Sequence, residues 1–189
     1  MILVIVELPF FIMARLRVMM RRYKIIACNH LLTTFDALKD AKMSQEKELY
    51  RHRALIQVRF KDVDQMGHVN NANHFTYFEL ARVKYFNEVV NEPIEWKEQG
   101  IILAHMEIDY KRPILLNDEV YVYSRVSKFG TKSFEVEYKI VVVANGTEDI
   151  AATGKSVQVC FDYTRNETMN VPETWKQKVI AYEPGLQAL

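Results

Sequence analysis

Arg59-Phe60-Lys61-Asp62-Val63-Asp64-Gln65-Met66-Gly67-His68-Val69-Asn70-Asn71-Ala72-Asn73-His74-Phe75 is the stretch around which the chain is organised, and it continues without Gly or Pro through Tyr77, Phe78, Glu79, Leu80, Ala81 and Arg82 to Val90. It reads as the end of a strand, an acidic pair, a glycine turn and the mouth of a long helix. Asn70, Asn71 and Asn73 stand where a helix cap belongs, and the first turn of a helix leaves backbone N–H groups unpaired with a partial positive charge. Such a mouth can hold an oxyanion or polarise a carbonyl. Asp64 lies seven residues before Asn71, across the flexible Gly67 turn. Its carboxylate beside that mouth suits acyl transfer, as a nucleophile or as a general base for water.

Upstream, Ala54, Ile56, Val58 and Phe60 alternate with Leu55, Gln57 and Arg59, the period of two that marks a strand. This first strand, Ala54 to Phe60, is expected to deliver Asp62 and Asp64 at its end. Downstream, the helix from about Ala72 to Val90 carries Phe75, Phe78, Arg82, Tyr85, Phe86 and Val89 at three- and four-residue spacings, an amphipathic pattern with an aromatic face. Phe75, Tyr85 and Phe86 are expected to pack on a sheet. Tyr77 and Phe78, nearer the mouth, are candidates to line an acyl pocket as well. Glu79 and Arg82 are in reach of an intrahelical ion pair. The helix stops before Asn91-Glu92-Pro93, since a proline disfavours helical geometry in the residue before it.

After a loop through Trp96 and Gly100, Ile102, Ala104, Met106, Ile108 and Tyr110 alternate with Leu103, His105, Glu107 and Asp109 as a long second strand. Val120 to Val126, Phe134 to Val142 and Val157 to Tyr163 give three more, with Asn145-Gly146 a strong hairpin turn because both residues take positive φ. Pro172 to Lys176 begins a short terminal helix. One strand, a helix and four more strands, largely antiparallel, make an α+β fold.

The Asp62-x-Asp64 pair admits two further readings. As metal ligands the two carboxylates lack an accompanying His or Glu at a ligating spacing, so no metal is expected. As turn formers they are ordinary, and for Asp62 that is the preferred reading. His68 is an acid or base by type, but in a polar turn it is read as a hydrogen-bonded structural residue. No Gly-x-Ser-x-Gly elbow or Cys-His pairing points to an acyl-enzyme on serine or cysteine.

The chain of 189 residues is 49% hydrophobic and 26% charged, long enough for one sizeable core. Lys and Arg total 25 against 24 Asp and Glu, so no global field attracts nucleic acid or an anionic membrane. Cys28 and Cys160 form no CxxC or CxxH spacing, which argues against a disulfide scaffold or a zinc site and fits a reducing cytosol. Residues 1–13 are apolar apart from Glu7 and Pro9, with Arg15, Arg17, Arg21, Arg22 and Lys24 after them. A secretory signal has the reverse order and a spanning helix needs ~20 apolar residues, so neither is expected. The segment is a surface anchor, an extra packed element, or a poorly ordered or non-native start. The last is preferred, because Met43-Ser44-Gln45-Glu46-Lys47 looks like a natural polar N-terminus. The expected division is an extension over 1–42 and a domain over 43–189.

Asp62-x-Asp64-x-x-Gly67-His68-Val69-Asn70-Asn71-x-x-His74, followed by Phe78-Glu79-x-Ala81-Arg82, resembles the hot-dog-fold acyl-CoA thioesterases of the 4-hydroxybenzoyl-CoA thioesterase type. The family often has Tyr where this chain has His74. The resemblance implies a mainly antiparallel sheet of about five strands wrapped around one long helix. It implies Asp64 as the catalytic carboxylate and the Asn71 backbone N–H as the group that polarises the thioester carbonyl. The Lys132-Ser133-Phe134 run resembles a stretch near the nucleotide end of coenzyme A, making Lys132 the candidate phosphate cation, against the alternative of a solvated basic hairpin. The expected protein is therefore a cytoplasmic acyl-CoA thioesterase with no cofactor beyond the coenzyme A of its substrate. It is expected as a homodimer or homotetramer with sites at the subunit interface, without nucleic-acid or stable membrane association. The alternatives are the same hydrolysis on acyl carrier protein, or an acyl-thioester-binding module without turnover.

Overall fold

A computed structural model of the chain describes residues 49–92 and 98–186. The expected extension over 1–42, the polar start at Met43 and the loop residue Trp96 lie outside the described residues.

Five strands carry the fold: β1 (His52–Ile56), β2 (Gln99–Tyr110), β3 (Glu119–Phe129), β4 (Ser133–Ala144) and β5 (Thr147–Asp162), with a two-residue β6 (Glu167–Thr168) on the end of β5. The sheet order is β1-β3-β4-β5-β2 and every pairing is antiparallel. At the β4–β5 turn Asn145 has φ 52° and Gly146 φ 77°, the left-handed pair whose twist matches the flanking strands. β5 begins at Thr147, directly after this turn, well before the expected Val157.

One long helix links β1 to β2 and sends them to opposite edges of the sheet. Its α-helical part, α1, is Asn71–Tyr85, and it continues through a wider π turn, Phe86–Val90, to stop at Asn91 with φ 46°. His74, Tyr77, Phe78, Ala81, Tyr85, Phe86 and Val90 are buried and form one stripe against the inward-facing residues of β1, β3 and β4. Contact is tightest at Gly154 of β5, where an added Cβ would lie 2.5 Å from Phe78 Cε2 and 2.8 Å from the Glu107 carbonyl oxygen. The Phe78 ring stacks on Tyr138 of β4 with centroids 4.5 Å apart. This is the expected α+β hot-dog arrangement of a curled antiparallel sheet and a long helix.

A second helix, α2 (Glu173–Tyr182), clamps the far end of the first. Trp175 meets Phe86, Lys178 Nζ donates to the Val90 carbonyl at 2.7 Å, and the Tyr85 hydroxyl donates to Glu183 at 2.6 Å. Burial raises the Glu183 carboxyl above its ordinary range.

Three expectations are corrected. β1 ends at Ile56 rather than Phe60, because Phe60–Asp62 is a 3-10 turn. Phe60 is 84% exposed there while Asp62 is buried, so hydrogen bonding to Asp62 overrides the alternating pattern. The alternation expected along β2 breaks at a bulge between Leu103 and His105. Ile101, Leu103, Met106 and Ile108 pair opposite Cys160, Gln158, Ser156 and Gly154 and share their face, which excludes Ile102. Phe75, expected to pack on the sheet, is left 39% exposed.

Candidate active site

Residues 62–64 and 68–70 form a miniature antiparallel ladder. Asp64 N donates to the His68 carbonyl at 2.8 Å, Asn70 N donates to the Asp62 carbonyl at 2.8 Å, and Val63 bridges Val69 between them. Gly67, at φ 79°, closes the turn with its N–H on the Asp64 carbonyl at 3.0 Å. Val69 N donates to the Ile114 carbonyl at 2.8 Å and fastens the ladder to the chain entering β3.

Asp64 is half-buried in this turn. Its Oδ1 accepts from Met66 N at 2.9 Å and His68 N at 3.4 Å, an Asx turn that fixes the side chain. Its Oδ2 has no hydrogen-bond partner among the described residues. One oxygen is held and the other is open.

The ladder runs directly into the helix mouth. Asn70 caps α1, its Oδ1 accepting from Ala72 N at 3.0 Å, while Asn73 N donates to the Asn70 carbonyl at 2.9 Å. With Asn70 N used on Asp62, only the Asn71 N–H of this group has no acceptor among the described residues. It belongs to the first residue of α1, where the helix dipole is positive. The Tyr110 hydroxyl, at the end of β2, donates to the Asn71 carbonyl at 3.1 Å. His74 is buried edge-on to the Tyr110 ring, with Nδ1 3.4 Å from the Asn70 carbonyl, and burial lowers its imidazole pKa.

Asp62 is no ordinary turn former, and that reading is corrected. It is 1% exposed, and its carboxylate accepts from the Arg59 amide at 3.0 Å, from Arg59 Nε and Nη2 at 2.9–3.1 Å, and from the Tyr77 hydroxyl at 3.0 Å. Burial alone would raise its pKa, but these donors outweigh it and hold the carboxyl below the usual range. Its carbonyl also accepts from Asn73 Nδ2 at 2.9 Å.

Asp64 and Asn71 are thus brought to the two ends of one short hydrogen-bonded unit. Tyr77 and Phe78 are fully buried beneath it, Tyr77 on Asp62 and Phe78 on Tyr138. Lys132 makes no hydrogen bond to this unit; its Nζ meets the Thr168 carbonyl and hydroxyl, both at 3.1 Å, leaving its charge without a counter-ion among the described residues. His68 supplies main chain to the ladder. Among the described residues no three His, Cys, Asp or Glu side chains are gathered as a metal site would need. From the sequence, Asp62 reads only as a turn former and Asn73 only as a cap residue, and Tyr110 is given no place in the site. The Arg59-x-x-Asp62 spacing was a visible signal for the first; nothing local marks Tyr110, which arrives from 39 residues away.

A carboxylate oxygen and a helix-mouth amide, both open, are the parts needed to attack and polarise an ester carbonyl. Comparison with known proteins agrees. The family model described as "Thioesterase-like superfamily" matches residues 58–179. A thioesterase of Thermus thermophilus, solved with coenzyme A and zinc, has a TM-score of 0.63 and 36% identity, covering 75% of this chain and 99% of that one. The Bacillus subtilis (strain 168) protein YsmA is 34% identical over 83 residues, which are 44% of this chain and 56% of that protein. A 1,4-dihydroxy-2-naphthoyl-CoA hydrolase of Nostoc punctiforme is 25% identical over 121 residues, 61% of this chain and 78% of that enzyme. With the open carboxylate and the open amide in place and the family match running from Val58 to Val179, the chain belongs to the thioesterase-like superfamily.

Proposed function

We propose that the protein hydrolyses an acyl-CoA thioester to the free acid and coenzyme A, with Asp64 as the carboxylate catalyst and the Asn71 N–H as the carbonyl polariser. The observation that carries this is the Asn71 amide without an acceptor, on the same ladder as an Asp64 oxygen without a donor. A thioester carbonyl has little resonance stabilisation, so a donor aimed at its oxygen stabilises the charge that builds as the carbon becomes tetrahedral. Asp64 acts on that carbon directly, forming a mixed anhydride that water then hydrolyses to the free acid and the restored carboxylate, or it acts through a water it deprotonates. Coenzyme A leaves as the thiolate and takes a proton.

We assign Lys132 to the phosphates of coenzyme A, since its ammonium rests on neutral acceptors alone. Tyr77 and Phe78 back the wall behind the acyl group. We also propose a homodimer or homotetramer assembled through β2. This strand is an edge of the sheet, with Ile102, Leu103 and Tyr110 38%, 46% and 42% exposed, and an exposed apolar edge invites pairing with another strand. Light scattering should give at least twice the 22.2 kDa chain mass. Among the described residues no helix is long and apolar enough to cross a membrane. A cytoplasmic location is part of the proposal and agrees with the free thiol of Cys160.

The test is thiol release from short-chain, long-chain and aromatic acyl-CoAs, beside the same acyl groups on acyl carrier protein. Asp64→Asn should bind the substrate and lose most turnover. Full turnover by Asp64→Asn, or thioester binding without thiol release by the native protein, rejects the assignment.

A further inference from the structure

We propose that Asp62 is a positioning residue that sets the separation between the Asp64 carboxylate and the Asn71 amide without touching substrate. This deepens the thioesterase reading and rests on it. At 1% exposure Asp62 cannot reach a ligand. A turn alone does not require a buried charge, whose desolvation is costly unless donors surround it.

The donors come from both halves of the site. Arg59 supplies its amide and guanidinium from the strand side, and Tyr77 supplies its hydroxyl from the second turn of α1. The Asp62 carbonyl accepts from Asn70 N and Asn73 Nδ2, the residues on either side of Asn71 and Ala72. Asp62 is therefore bonded to α1 and its cap at three points, Asn70, Asn73 and Tyr77. On its other side only Val63 separates it from Asp64, whose own N–H is locked to His68. A rotation or slide of α1 would swing the Asn71 N–H and must stretch the Tyr77–Asp62 bond. A shift of the ladder would move Asp64 and must stretch the same bond. One carboxylate couples both motions.

Catalytic geometry is sensitive to such coupling, since a misplacement of about 1 Å can lower a rate by about a hundredfold. Substrate binding, carried by coenzyme A and by the acyl wall that the Tyr77 ring backs, does not depend on the Tyr77 hydroxyl, which is spent on Asp62. Tyr77→Phe removes one hydroxyl and leaves the ring in the core, so it is the mild variant; Asp62→Asn is the stronger one. Both are assayed for thiol release well below their unfolding transitions, with folding checked by circular dichroism. The expected result is a fall in kcat of about tenfold for Tyr77→Phe, and more for Asp62→Asn, with KM within about twofold. Because both act through one linkage, the double variant should resemble Asp62→Asn alone in kcat.

A role confined to stability predicts a different outcome, with Tm lowered, kcat unchanged in the folded fraction and the two losses additive. That result overturns the proposal, as does a rise in KM with kcat intact. Absence of thiol release by the native protein from every acyl-CoA tested fails the thioesterase reading, and this inference with it. Native turnover with unchanged kcat in folded Tyr77→Phe and Asp62→Asn fails this inference alone.

Discussion

Asn71→Pro isolates the amide proposed to polarise the thioester carbonyl. Proline is well tolerated at the first helical position, where its ring fixes φ near −65° and the missing N–H is one the helix does not use. Asn71 holds that position. The residue before a proline must be extended with ψ of about +120 to +160°, and Asn70 already has φ −57° and ψ 138°. The Asn71 side chain is exposed, its N–H has no acceptor among the described residues, and its carbonyl keeps the Tyr110 hydroxyl. The expected change in stability is therefore under about 1 kcal/mol. Loss of one oxyanion donor costs about 3 to 4 kcal/mol, or a hundred- to a thousandfold in kcat. Asn71→Ala keeps the N–H and is the reference for side-chain loss. The assay is thiol release for both variants, with thermal unfolding run alongside. If Asn71→Pro unfolds at the same temperature and turns over within a few-fold of Asn71→Ala, the amide is not the polariser.

Other expectations follow from packing and charge. Gly154→Ala places a Cβ against Phe78 Cε2 at 2.5 Å and the Glu107 carbonyl at 2.8 Å; the carbonyl belongs to a neighbouring strand and cannot swing aside. Overpacking of about 2 to 3 kcal/mol should lower Tm by roughly 5–10 °C, and adding Phe78→Leu should recover part of it, as thermal melts of the two variants beside the native protein would read. His52 is buried between Ser124 Oγ at 3.2 Å and Glu88 Oε2 at 3.1 Å, and burial lowers its pKa from 6.5 despite the Glu88 charge. Its contribution is thus complete above pH 6.5 and is lost as pH falls through the folded-state value. Glu183, raised from 4.5, works in the opposite sense, contributing fully below pH 4.5 and less as pH rises. Urea midpoints between pH 7.5 and 5.5 should therefore fall more steeply for the native protein than for His52→Gln, and parallel slopes would contradict the burial argument. Lys132→Ala should raise KM for acyl-CoA with kcat nearly unchanged; an unaltered KM across ionic strengths would return Lys132 to the solvated surface.

The parts of the fold that a local rule governs were legible in the sequence. The Asn145-Gly146 turn needed only two residues able to take positive φ, and the helix from the asparagine cap to Val90 needed only its unbroken spacing. β1 was misread at its end because alternation at Val58 and Phe60 carries no record of the hydrogen bonds that draw Asp62 inward. The extra residue at Ala104 leaves hydrophobicity almost unchanged while reversing the face of everything after it. Phe75 matches the apolar spacing of α1 yet stays partly exposed. Within the site, Asp64 and Asn71 could be placed because they are close in sequence. The burial of Asp62 depends on Tyr77 two helical turns into α1, and the contact of Tyr110 depends on how β2 folds back to the helix mouth. Only the Arg59 side of the Asp62 cluster is encoded nearby.

The glycine turn that closes the small ladder has one more consequence. Gln65 and Met66 stand exposed at its tip, Met66 at 76%, while every bond that fixes Asp64 and the Asn71 amide involves main chain or residues below the tip. The tip side chains can be exchanged for bulkier, smaller or charged ones so long as Gly67 keeps its left-handed φ of 79°. Divergence among relatives, or a designed library, can therefore vary the tip at two adjacent codons while the hydrogen bonds behind it are kept.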